Sequence, residues 1–413
     1  MPPEDLARAR RELTVAPIDR SGVGFPKRFK VYWELGGVVY APRFWSARPP
    51  APPSAAPIRA AFAGQLLAEM DQPRAVAQTL GSMRACGGAV LSAYTGQGKT
   101  AMACKIVAEL GVKTLVLVHK DVLRTQWAER VAQFLPGTSV SFVQGPVCDT
   151  SGDVVVAMVQ TLVARRLPPC GLGLVVADEC HHIGAEVFST AMRGLAVKYT
   201  LGLSATPERK DGLSRVMHWF LGPLAYASVR ADMVGVHVRV VRYDCDAYRS
   251  LPPTNRMGTV CFASVMTALV EDEARTAAVA AVVRGLLEEA PGRRVLVLSH
   301  RRAHCQELAE RTGGVAFLGG GAKAKNKDAQ AQARAARCVC ATFALVSEGY
   351  DDPTLGCLVL ATPCSDVVQA AGRVMRGTAG DALIVDVVDQ WGTCFAQAAK
   401  RRAYYRQAGF TVT

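Results

Sequence analysis

The chain has 413 residues, a length that predicts two or three domains rather than a single core. Half of its residues are apolar and 20% are charged, which is typical of an ordinary globular protein and argues against bulk disorder. Lysine and arginine outnumber aspartate and glutamate by 48 to 35, giving a formal net charge of +13. This surplus indicates a polyanionic partner, nucleic acid before an anionic membrane surface, although a basic enzyme without such a partner fits the charge equally well.

The 13 cysteines indicate neither a disulfide framework nor a zinc site. The sequence has no C-x-x-C pair, and most cysteines lie in apolar runs, such as Cys357 in TLGCLVLAT. We therefore expect reduced, mostly buried thiols and an intracellular location, in the cytoplasm or nucleus. The N-terminal segment lacks the apolar centre of a signal peptide, and no apolar run is long enough to cross a membrane, so we expect no membrane partner.

Composition divides the chain into four parts. Residues 1–65 contain a stretch, VYWELGGVVY, that predicts a hairpin, and a Pro/Ala-rich segment at 48–57 that predicts an extended linker. Residues 66–212 and 271–413 alternate short apolar runs with amphipathic stretches, which is typical of strands buried on both faces of a parallel sheet. Residues 213–270 lack this pattern and are expected to form a connector. The sequence therefore predicts an α/β protein with two similar units, an N-terminal extension and a basic helix near its end.

The segment AYTGQGKT fits the spacing of a phosphate-binding loop. It follows the apolar run AVLS and precedes an amphipathic helix, which is the strand–loop–helix context that such a loop requires. Backbone N–H groups of a glycine-rich loop converge on phosphate oxygens, and the helix N-terminus favours anions. We expect Lys99 to reach the β- and γ-phosphates of ATP and Thr100 to ligate Mg²⁺, whereas the alternative is a glycine-rich turn that binds nothing. The residues assigned to the nucleotide are Gly96, Gln97, Gly98, Lys99 and Thr100.

A pair of carboxylates, Asp178 and Glu179, follows the apolar run LGLVVA directly. Asp178 is expected in the Mg²⁺ shell, and Glu179 is expected to polarise the attacking water as general base. An acidic pair alone would be interpreted as two ordinary solvent-exposed residues, but its combination with the loop favours a catalytic role. His181 and His182 come next, and because adjacent side chains point apart and no third ligand is evident, we expect no zinc site. His181 is expected to relay hydrogen bonds from the ATP site to a second element.

Four motifs occur in a characteristic order: GQGKT at 96–100, DECH at 178–181, SATP at 204–207 and QAAGRVMR at 369–376. Together they resemble a superfamily 2 helicase of the DExH type, over about residues 70–390. The phrases LGLSATPERKDG and ATFALVSEGYDDPTL are similar to the compact helicases of large cytoplasmic DNA viruses and phages, related to the translocase of the transcription and repair factor. The resemblance implies two tandem RecA-like P-loop domains with ATP and Mg²⁺ bound in the cleft between them.

The last motif is assigned to catalysis by the resemblance. Arg373 and Arg376 would act as fingers on the γ-phosphate, because a planar, permanently charged guanidinium stabilises charge on the transferring phosphoryl group. Gln369 would belong to the same catalytic set. Ser204 and Thr206 match the motif that links hydrolysis to strand movement.

The resemblance assigns further residues to the nucleotide. Gly349 and Asp351 match a glycine-x-aspartate pattern at the nucleotide edge of the second domain. Gln72 is the candidate for reading adenine, with Gln78 as the alternative, because Asp71 stands where the family has an aromatic residue.

Such motors grip the sugar–phosphate backbone, so the implied nucleic-acid track reads charge and shape more than sequence. The subfamily favours DNA over RNA, and a host cell or virion as the location. An RNA helicase, and a duplex-DNA translocase or remodelling factor that does not separate strands, stay open as alternatives. Transcription or replication proteins are the protein partners this implies. The residues assigned to the track are His119, Lys120, Gln160, Thr161, Ser299, His300, Arg301 and Thr342.

Overall fold

In a computed structural model the chain divides into two compact units, Met1–Val229 and Arg230–Thr413. Among the described residues no helix combines the length and apolar character that a membrane span requires. The structure describes residues 3–18, 27–36, 38–45, 54–94, 96–183, 185–205, 211–228, 235–254, 258, 260–318, 323–347, 352, 354–365, 367, 371 and 382–413.

The first unit contains a sheet flanked by helices. Its strands are β1 Thr14–Val15, β2 Phe29–Lys30, β3 Trp33–Leu35, β4 Val38–Tyr40, β5 Gly88–Ser92, β6 Thr114–Val118, β7 Val140–Gln144, β8 Val147–Cys148, β9 Val154–Met158, β10 Leu174–Ala177, β11 Tyr199–Ser204 and β12 Leu224–Ala227. Its helices are α1 Pro3–Glu12, α2 Gln72–Cys86, α3 Lys99–Leu110, α4 Asp121–Phe134, α5 Val159–Ala164, α6 Ala185–Met192 and α7 Ser214–Leu221, with a 3₁₀ turn at Ala68–Met70.

The described strands of the main sheet follow the order β12-β5-β11-β10-β6-β9-β7-β8, and all neighbours are parallel except β7 and β8. Successive residues of a strand face opposite sides of its sheet. Leu115 and Leu117 of β6 accordingly lie in one apolar cluster, while Val116 and Val118 lie in another. Both faces of the sheet are therefore covered, which explains why its central strands are continuous apolar runs and confirms the predicted α/β class.

The N-terminal extension packs on this unit. The predicted hairpin is confirmed, because β3 and β4 pair antiparallel with Trp33 opposite Tyr40. Leu13 and Val31 are buried in the same apolar cluster as the sheet residue Leu115. The segment that we expected to be a free linker is described from residue 54 onward. There the N–H of Ala56 donates to the carbonyl of Gly171 at 2.8 Å, so backbone pairing holds this part of it against the unit.

The second unit has a sheet whose described neighbours are all parallel, in the order β15-β16-β14-β17-β18-β13-β19. Its strands are β13 Val236–Tyr243, β14 Val295–Ser299, β15 Val315–Phe317, β16 Cys338–Thr342, β17 Cys357–Leu360, β18 Ala382–Asp389 and β19 Thr411–Val412. Its helices are α8 Phe262–Glu271, α9 Glu273–Glu289, α10 Arg302–Thr312, α11 Lys323–Ala335, α12 Phe343–Ser347 and α13 Gly392–Gln407, with a 3₁₀ turn at Asp246–Arg249.

The segment 213–270, expected to be a connector, is largely built into the two units. Strand β12 pairs with β5 of the first sheet, and β13 lies between β18 and β19 of the second. Strand β13 alternates buried and exposed residues at Val236, His237, Val238 and Arg239. This alternation is typical of a strand near a sheet edge, and it differs from the continuous apolar runs by which we recognised strands.

Two buried ion pairs anchor helices to β18 in the second unit. Arg275 of α9 donates to both carboxylate oxygens of Asp389, at 2.6 and 2.9 Å, and both side chains are fully buried. Arg401 of α13 donates to Asp386 at 2.7 Å, and Tyr405 of the same helix donates to that carboxylate at 3.1 Å. The basic helix near the C-terminus therefore turns one of its arginines inward.

Removing one partner of the Arg275–Asp389 pair leaves a buried charge without its counter-ion. We expect Arg275→Met to lower the free energy of unfolding by about 3–5 kcal/mol. The matched control is Arg239→Met, which breaks the exposed pair with Glu289 and is expected to cost less than about 1 kcal/mol. Urea unfolding followed by tryptophan fluorescence measures both variants, and equal effects would contradict the assigned role of burial.

Candidate ATP site and nucleic-acid track

Strand order brings three sequence motifs to one edge of the first sheet. Strands β5 and β10 lie on either side of β11 and are parallel to it. The carboxyl ends of parallel strands meet at the same edge of a sheet. The phosphate-binding loop therefore begins beside Ser204, at the end of β11, and Asp178 follows β10 on the other side of that residue.

The loop adopts the backbone that its glycines predict. Gly96 and Gly98 have φ angles of 99° and 81°, a region that residues with a Cβ rarely adopt. Helix α3 begins at Lys99, directly after Gly98. A Cβ at Gly98 would also lie 2.5 Å from the side-chain nitrogen of Gln72. Both the backbone angle and the close approach of Gln72 therefore require glycine at this position.

Lys99 points from the start of α3 toward the acidic pair. Its Nζ donates to the carbonyl of Ala93 at 3.1 Å and lies 3.5 Å from Oε1 of Glu179. The Lys99 side chain is only 9% exposed, so this positive charge is held inside the site rather than in solvent. The structure thus brings together the lysine and the glutamate that the sequence assigned to one reaction.

Asp178 is held by a residue that sequence analysis missed. The indole N–H of Trp127, on α4, donates to Oδ2 of Asp178 at 2.8 Å, and the N–H of Glu179 donates to Oδ1 at 3.0 Å. Burial, together with the neighbouring Glu179 charge, raises the pKa of Asp178 to about 6. The sequence carried no sign of this contact, because Trp127 reads as an ordinary apolar residue of an amphipathic helix.

Glu179 is ionised more readily than its neighbour. Burial opposes its charge, but Lys99, with His181 and His182, outweighs burial and lowers the pKa of Glu179 below its usual value. Its Oε2 is buried and has no hydrogen-bond partner among the described residues. Its backbone has a φ of 45°, which is uncommon for a residue other than glycine. A charged carboxylate on a strained backbone, with one oxygen available to accept a hydrogen bond, suits a group that accepts a proton from water.

His181 connects the acidic pair to the end of β11. Its Nδ1 lies 3.0 Å from the Ser204 hydroxyl and 3.5 Å from Oε2 of Glu179. The ring of His182 lies 4.0 Å from that of His181 and 5.9 Å from that of His119. The position of His181 fits the relay that we predict for it.

Gln72 braces the phosphate-binding loop. Its amide nitrogen donates to the carbonyl of Gln97 at 2.9 Å, and its amide oxygen accepts from the N–H of Leu67 at 2.8 Å. Gln97 in turn donates to the carbonyl of Met70 and to the hydroxyl of Tyr226, on β12. Gln72 therefore lies beside the predicted nucleotide loop. Both its amide nitrogen and its amide oxygen form hydrogen bonds with the protein backbone.

The residues present fit a Mg²⁺ ion. Asp178 supplies a buried carboxylate, and oxygen ligands are those that Mg²⁺ prefers. Thr100 lies in the first turn of α3, next to Lys99. These are the residues that would hold a metal bound with a nucleotide.

The predicted track residues of the first unit lie near the ends of β6 and β9. His119 follows β6, and Gln160 donates to its carbonyl at 3.1 Å. Burial lowers the pKa of His119 to about 4, so its ring is neutral near neutral pH. Lys120 immediately precedes α4, while the Thr161 hydroxyl accepts the N–H of Gly145 at 3.1 Å.

In the second unit, His300 and Arg301 follow β14, and Thr342 ends β16 next to it. His300 is held by the Thr362 hydroxyl, 2.9 Å from its Nδ1, a partner that sequence analysis missed. The position of Ser299 does not fit the prediction that it contacts nucleic acid directly. It is fully buried, and its hydroxyl lies 2.8 Å from Nδ1 of His304. Its hydrogen bond therefore faces the protein interior and not a phosphate.

Several predicted site residues lie outside the described residues. They belong to the motif after Ser204, to the glycine-x-aspartate pattern and to the motif that carries the arginine fingers. These residues are Thr206, Gly349, Asp351, Gln369, Arg373 and Arg376.

Comparison with protein families supports this site. Residues 67–209 match the family described as the type III restriction enzyme res subunit, a helicase domain. The match spans both the phosphate-binding loop and the acidic pair. The matched residues therefore include the candidate ATP site of the first unit.

The curated relatives include viral proteins named as helicases and an archaeal protein named as a translocase. A protein of Acanthamoeba polyphaga mimivirus named as an ATP-dependent RNA helicase is 26% identical, over 78% of this chain and 64% of its own length. A protein of Frog virus 3 named as a helicase is 28% identical, over 91% of this chain and 86% of its own. The DNA 3'-5' translocase XPB2 of Sulfurisphaera tokodaii is 33% identical, over 35% of this chain and 33% of its own.

Solved structures confirm the fold. The chain is similar to Saccharomyces cerevisiae Dbp5 bound to RNA and ADP BeF3, with a TM-score of 0.57 and 14% identity over 83% of this chain and 88% of that one. It is also similar to the Pyrococcus furiosus Hef helicase domain, with a TM-score of 0.54 and 15% identity over 81% of this chain and 98% of that one. The predicted pair of tandem RecA-like domains is thereby confirmed.

Trp127 offers a test of the acidic pair. We expect Trp127→Phe to lower the rate of ATP hydrolysis about tenfold, because losing the indole donor frees Asp178 to move by enough to add ~1.4 kcal/mol to the barrier. Trp219→Phe is the control, since Trp219 is partly buried in the same unit and contacts Arg215 instead. Steady-state ATPase assays measure both variants, and an unchanged rate in Trp127→Phe would refute the role.

His304 offers a test in the second unit. Burial lowers its pKa to about 4, whereas the unfolded chain binds the proton near 6.5. The unfolded state therefore binds more protons between these values, so stability falls as pH falls through this window, by up to about 1.4 kcal/mol per pH unit. Urea unfolding at several pH values should show a shallower slope for His304→Gln than for the wild type. Equal slopes would contradict the burial effect.

Proposed function

We propose that this chain is a superfamily 2 helicase that uses ATP hydrolysis in its first unit to move along DNA. The single observation that carries the proposal is the convergence of Lys99 with the Asp178–Glu179 pair at the carboxyl edge of a parallel sheet. A motor of this kind needs such a site for the nucleotide and a surface that binds the nucleic-acid strand.

The proposed chemistry assigns a separate task to each charged group. Lys99 binds the β- and γ-phosphates, where its charge offsets that of the transferring group. Mg²⁺ supplies further charge neutralisation when it is bound with the nucleotide. Glu179 orients the attacking water and accepts its proton at Oε2, the atom without a hydrogen-bond partner in the described residues. Asp178 is held as a metal ligand by the Trp127 indole.

We further propose that His181 couples the charge of Glu179 to the part of the chain that contacts nucleic acid. Its contacts with Glu179 and Ser204 join the acidic pair to the strand that leads into the motif containing Thr206. A change of charge at Glu179 would alter the hydrogen bond to Ser204. Gln369, Arg373 and Arg376 keep their proposed catalytic roles on the strength of their motif. Gly349 and Asp351 likewise keep theirs at the nucleotide.

DNA is proposed as the track because of one relative. The archaeal relative named as a DNA translocase shares 33% identity over 147 residues, the highest identity among the three relatives above. The net charge of +13 supplies the positive field that any phosphodiester backbone requires. RNA is the second candidate, because the mimivirus relative is named as an RNA helicase. The proposed setting is a host cell or virion, with transcription or replication proteins as partners.

ATP hydrolysis measured with different nucleic acids tests the function. We expect single-stranded or duplex DNA to stimulate hydrolysis, and the stimulation to fall as salt rises, because counterions compete for the phosphate contacts. We expect Glu179→Gln to lower the stimulated rate about 10²–10⁴-fold, since the amide cannot accept the proton.

The matched control is Glu186→Gln, which makes the same chemical change at an exposed glutamate of α6 and should leave the rate unchanged. A larger stimulation by RNA than by DNA would show that RNA, and not DNA, is the track. Stimulation by duplex DNA without strand separation would identify a translocase. No stimulation by any nucleic acid would overturn the proposal.

A further inference from the structure

A cavity of about 730 Å³ lies in the second unit, and its lining residues include none of those assigned above. It is formed by α13, by β13 and by the segment around β19. Its volume falls within the roughly 300–1,000 Å³ of typical small-molecule sites. Three arginines, Arg242, Arg402 and Arg406, line it.

The backbone points these arginines into one space. Arg402 and Arg406 are four residues apart on α13, so they lie on the same face of the helix in successive turns. Arg242 is two residues after Val240 on β13, so the two side chains share one face of the strand. Phe410 is buried and stacks on Tyr405, which gives the cavity a rigid apolar wall.

These arginines differ from others of the same unit in having no acidic partner among the described residues. Arg239 pairs with Glu289 at 2.9 Å, and Arg311 pairs with Glu307 at 2.8 Å. Like charges one helical turn apart repel each other, so the grouping is unfavourable unless an anion binds. The guanidinium group matches the oxygens of phosphate in a bidentate geometry.

One lining residue, Arg242, lies near the edge of the sheet that carries the second-unit track residues. Strand β13 is parallel to β18, and β17 and β14 follow in order, so the carboxyl ends of all four strands meet at one edge. Three strand spacings separate β13 from β14, which ends beside His300. That distance is roughly 14 Å, the length of about four nucleotides of one strand.

We propose that this cavity binds a phosphate group, and that the group belongs to the nucleic-acid strand on which the protein moves. The assignment to a strand rests on the function proposed above, whereas the phosphate chemistry rests on the cavity alone. The arginines would extend the track beyond His300 and Arg301 by contacts to the backbone, without reading sequence.

The test compares two variants that remove the same charge from the second unit. One is Arg402→Ala with Arg406→Ala, and the control is Lys400→Ala with Arg334→Ala, whose exposed side chains do not line the cavity. Fluorescence anisotropy with a labelled single-stranded oligodeoxynucleotide gives binding as a function of salt. The cavity variant should bind about five- to tenfold more weakly, with a salt slope lower by about two, while the control stays within about twofold of the wild type.

A second experiment tests whether the cavity binds the phosphate of a nucleic-acid strand or a free phosphate compound. Calorimetry compares the binding of inorganic pyrophosphate to Lys99→Ala and to Lys99→Ala combined with Arg402→Ala and Arg406→Ala. The Lys99→Ala substitution weakens the phosphate-binding loop as a competing site. Loss of pyrophosphate binding with unchanged oligonucleotide binding would support the phosphate site but overturn its assignment to a strand.

Unchanged binding of both probes, or equal weakening by the control variant, would overturn the proposal. Unchanged ATP hydrolysis without nucleic acid, measured for the cavity variant and the control variant with Lys99 in place, shows that both are folded. Absence of nucleic-acid stimulation in the wild type would instead count against the proposed function, and the pyrophosphate result would still decide the cavity.

Discussion

The contact between Lys99 and Glu179, at 3.5 Å, is the interaction on which the ATP site depends. It exists because β5 and β10 are parallel and separated only by β11, so that the residues after each strand emerge at one edge of the sheet. Ser204 ends the strand between them and lies 3.0 Å from His181. A different strand order would leave the same motifs in the sequence without bringing lysine, acid and hydroxyl together.

Two adjacent carboxylates in this site behave differently, and their surroundings explain why. Asp178 is fully buried beside another acid, so its pKa rises to about 6. Glu179 lies beside Lys99 and two histidines, so its pKa falls below the usual value. The Trp127 indole compensates part of the burial of Asp178 with a hydrogen bond. This difference fits the proposed roles of Asp178 as a metal ligand and of Glu179 as the proton acceptor.

Buried contacts in the second unit support a predicted track residue, His300. Arg275 donates to Asp389 and also to the carbonyl of Ala361, the residue before Thr362. The Thr362 hydroxyl accepts the N–H of His300 at 3.1 Å. The buried ion pair thus connects through one peptide to a residue expected to contact nucleic acid. A charge removed from water is costly unless it is paired, so this anchor resists small displacements of the strand end that presents His300.

The sequence by itself determined the α/β class and the central strands, and it predicted the candidate ATP-site residues from Gly96 to Thr100 and at Asp178 and Glu179. Continuous apolar runs and glycine spacing are local properties, and a chain shows them before it folds. Only the tertiary structure decided that β13 belongs to the second sheet, that Ser299 and Arg401 face inward, and that Trp127, Tyr226 and Thr362 hold the site residues. These outcomes depend on partners far away in the chain, such as the 51 residues between Trp127 and Asp178. A hydrogen-bond partner that distant leaves no periodic signal in the sequence, because packing, and not local pattern, selects it.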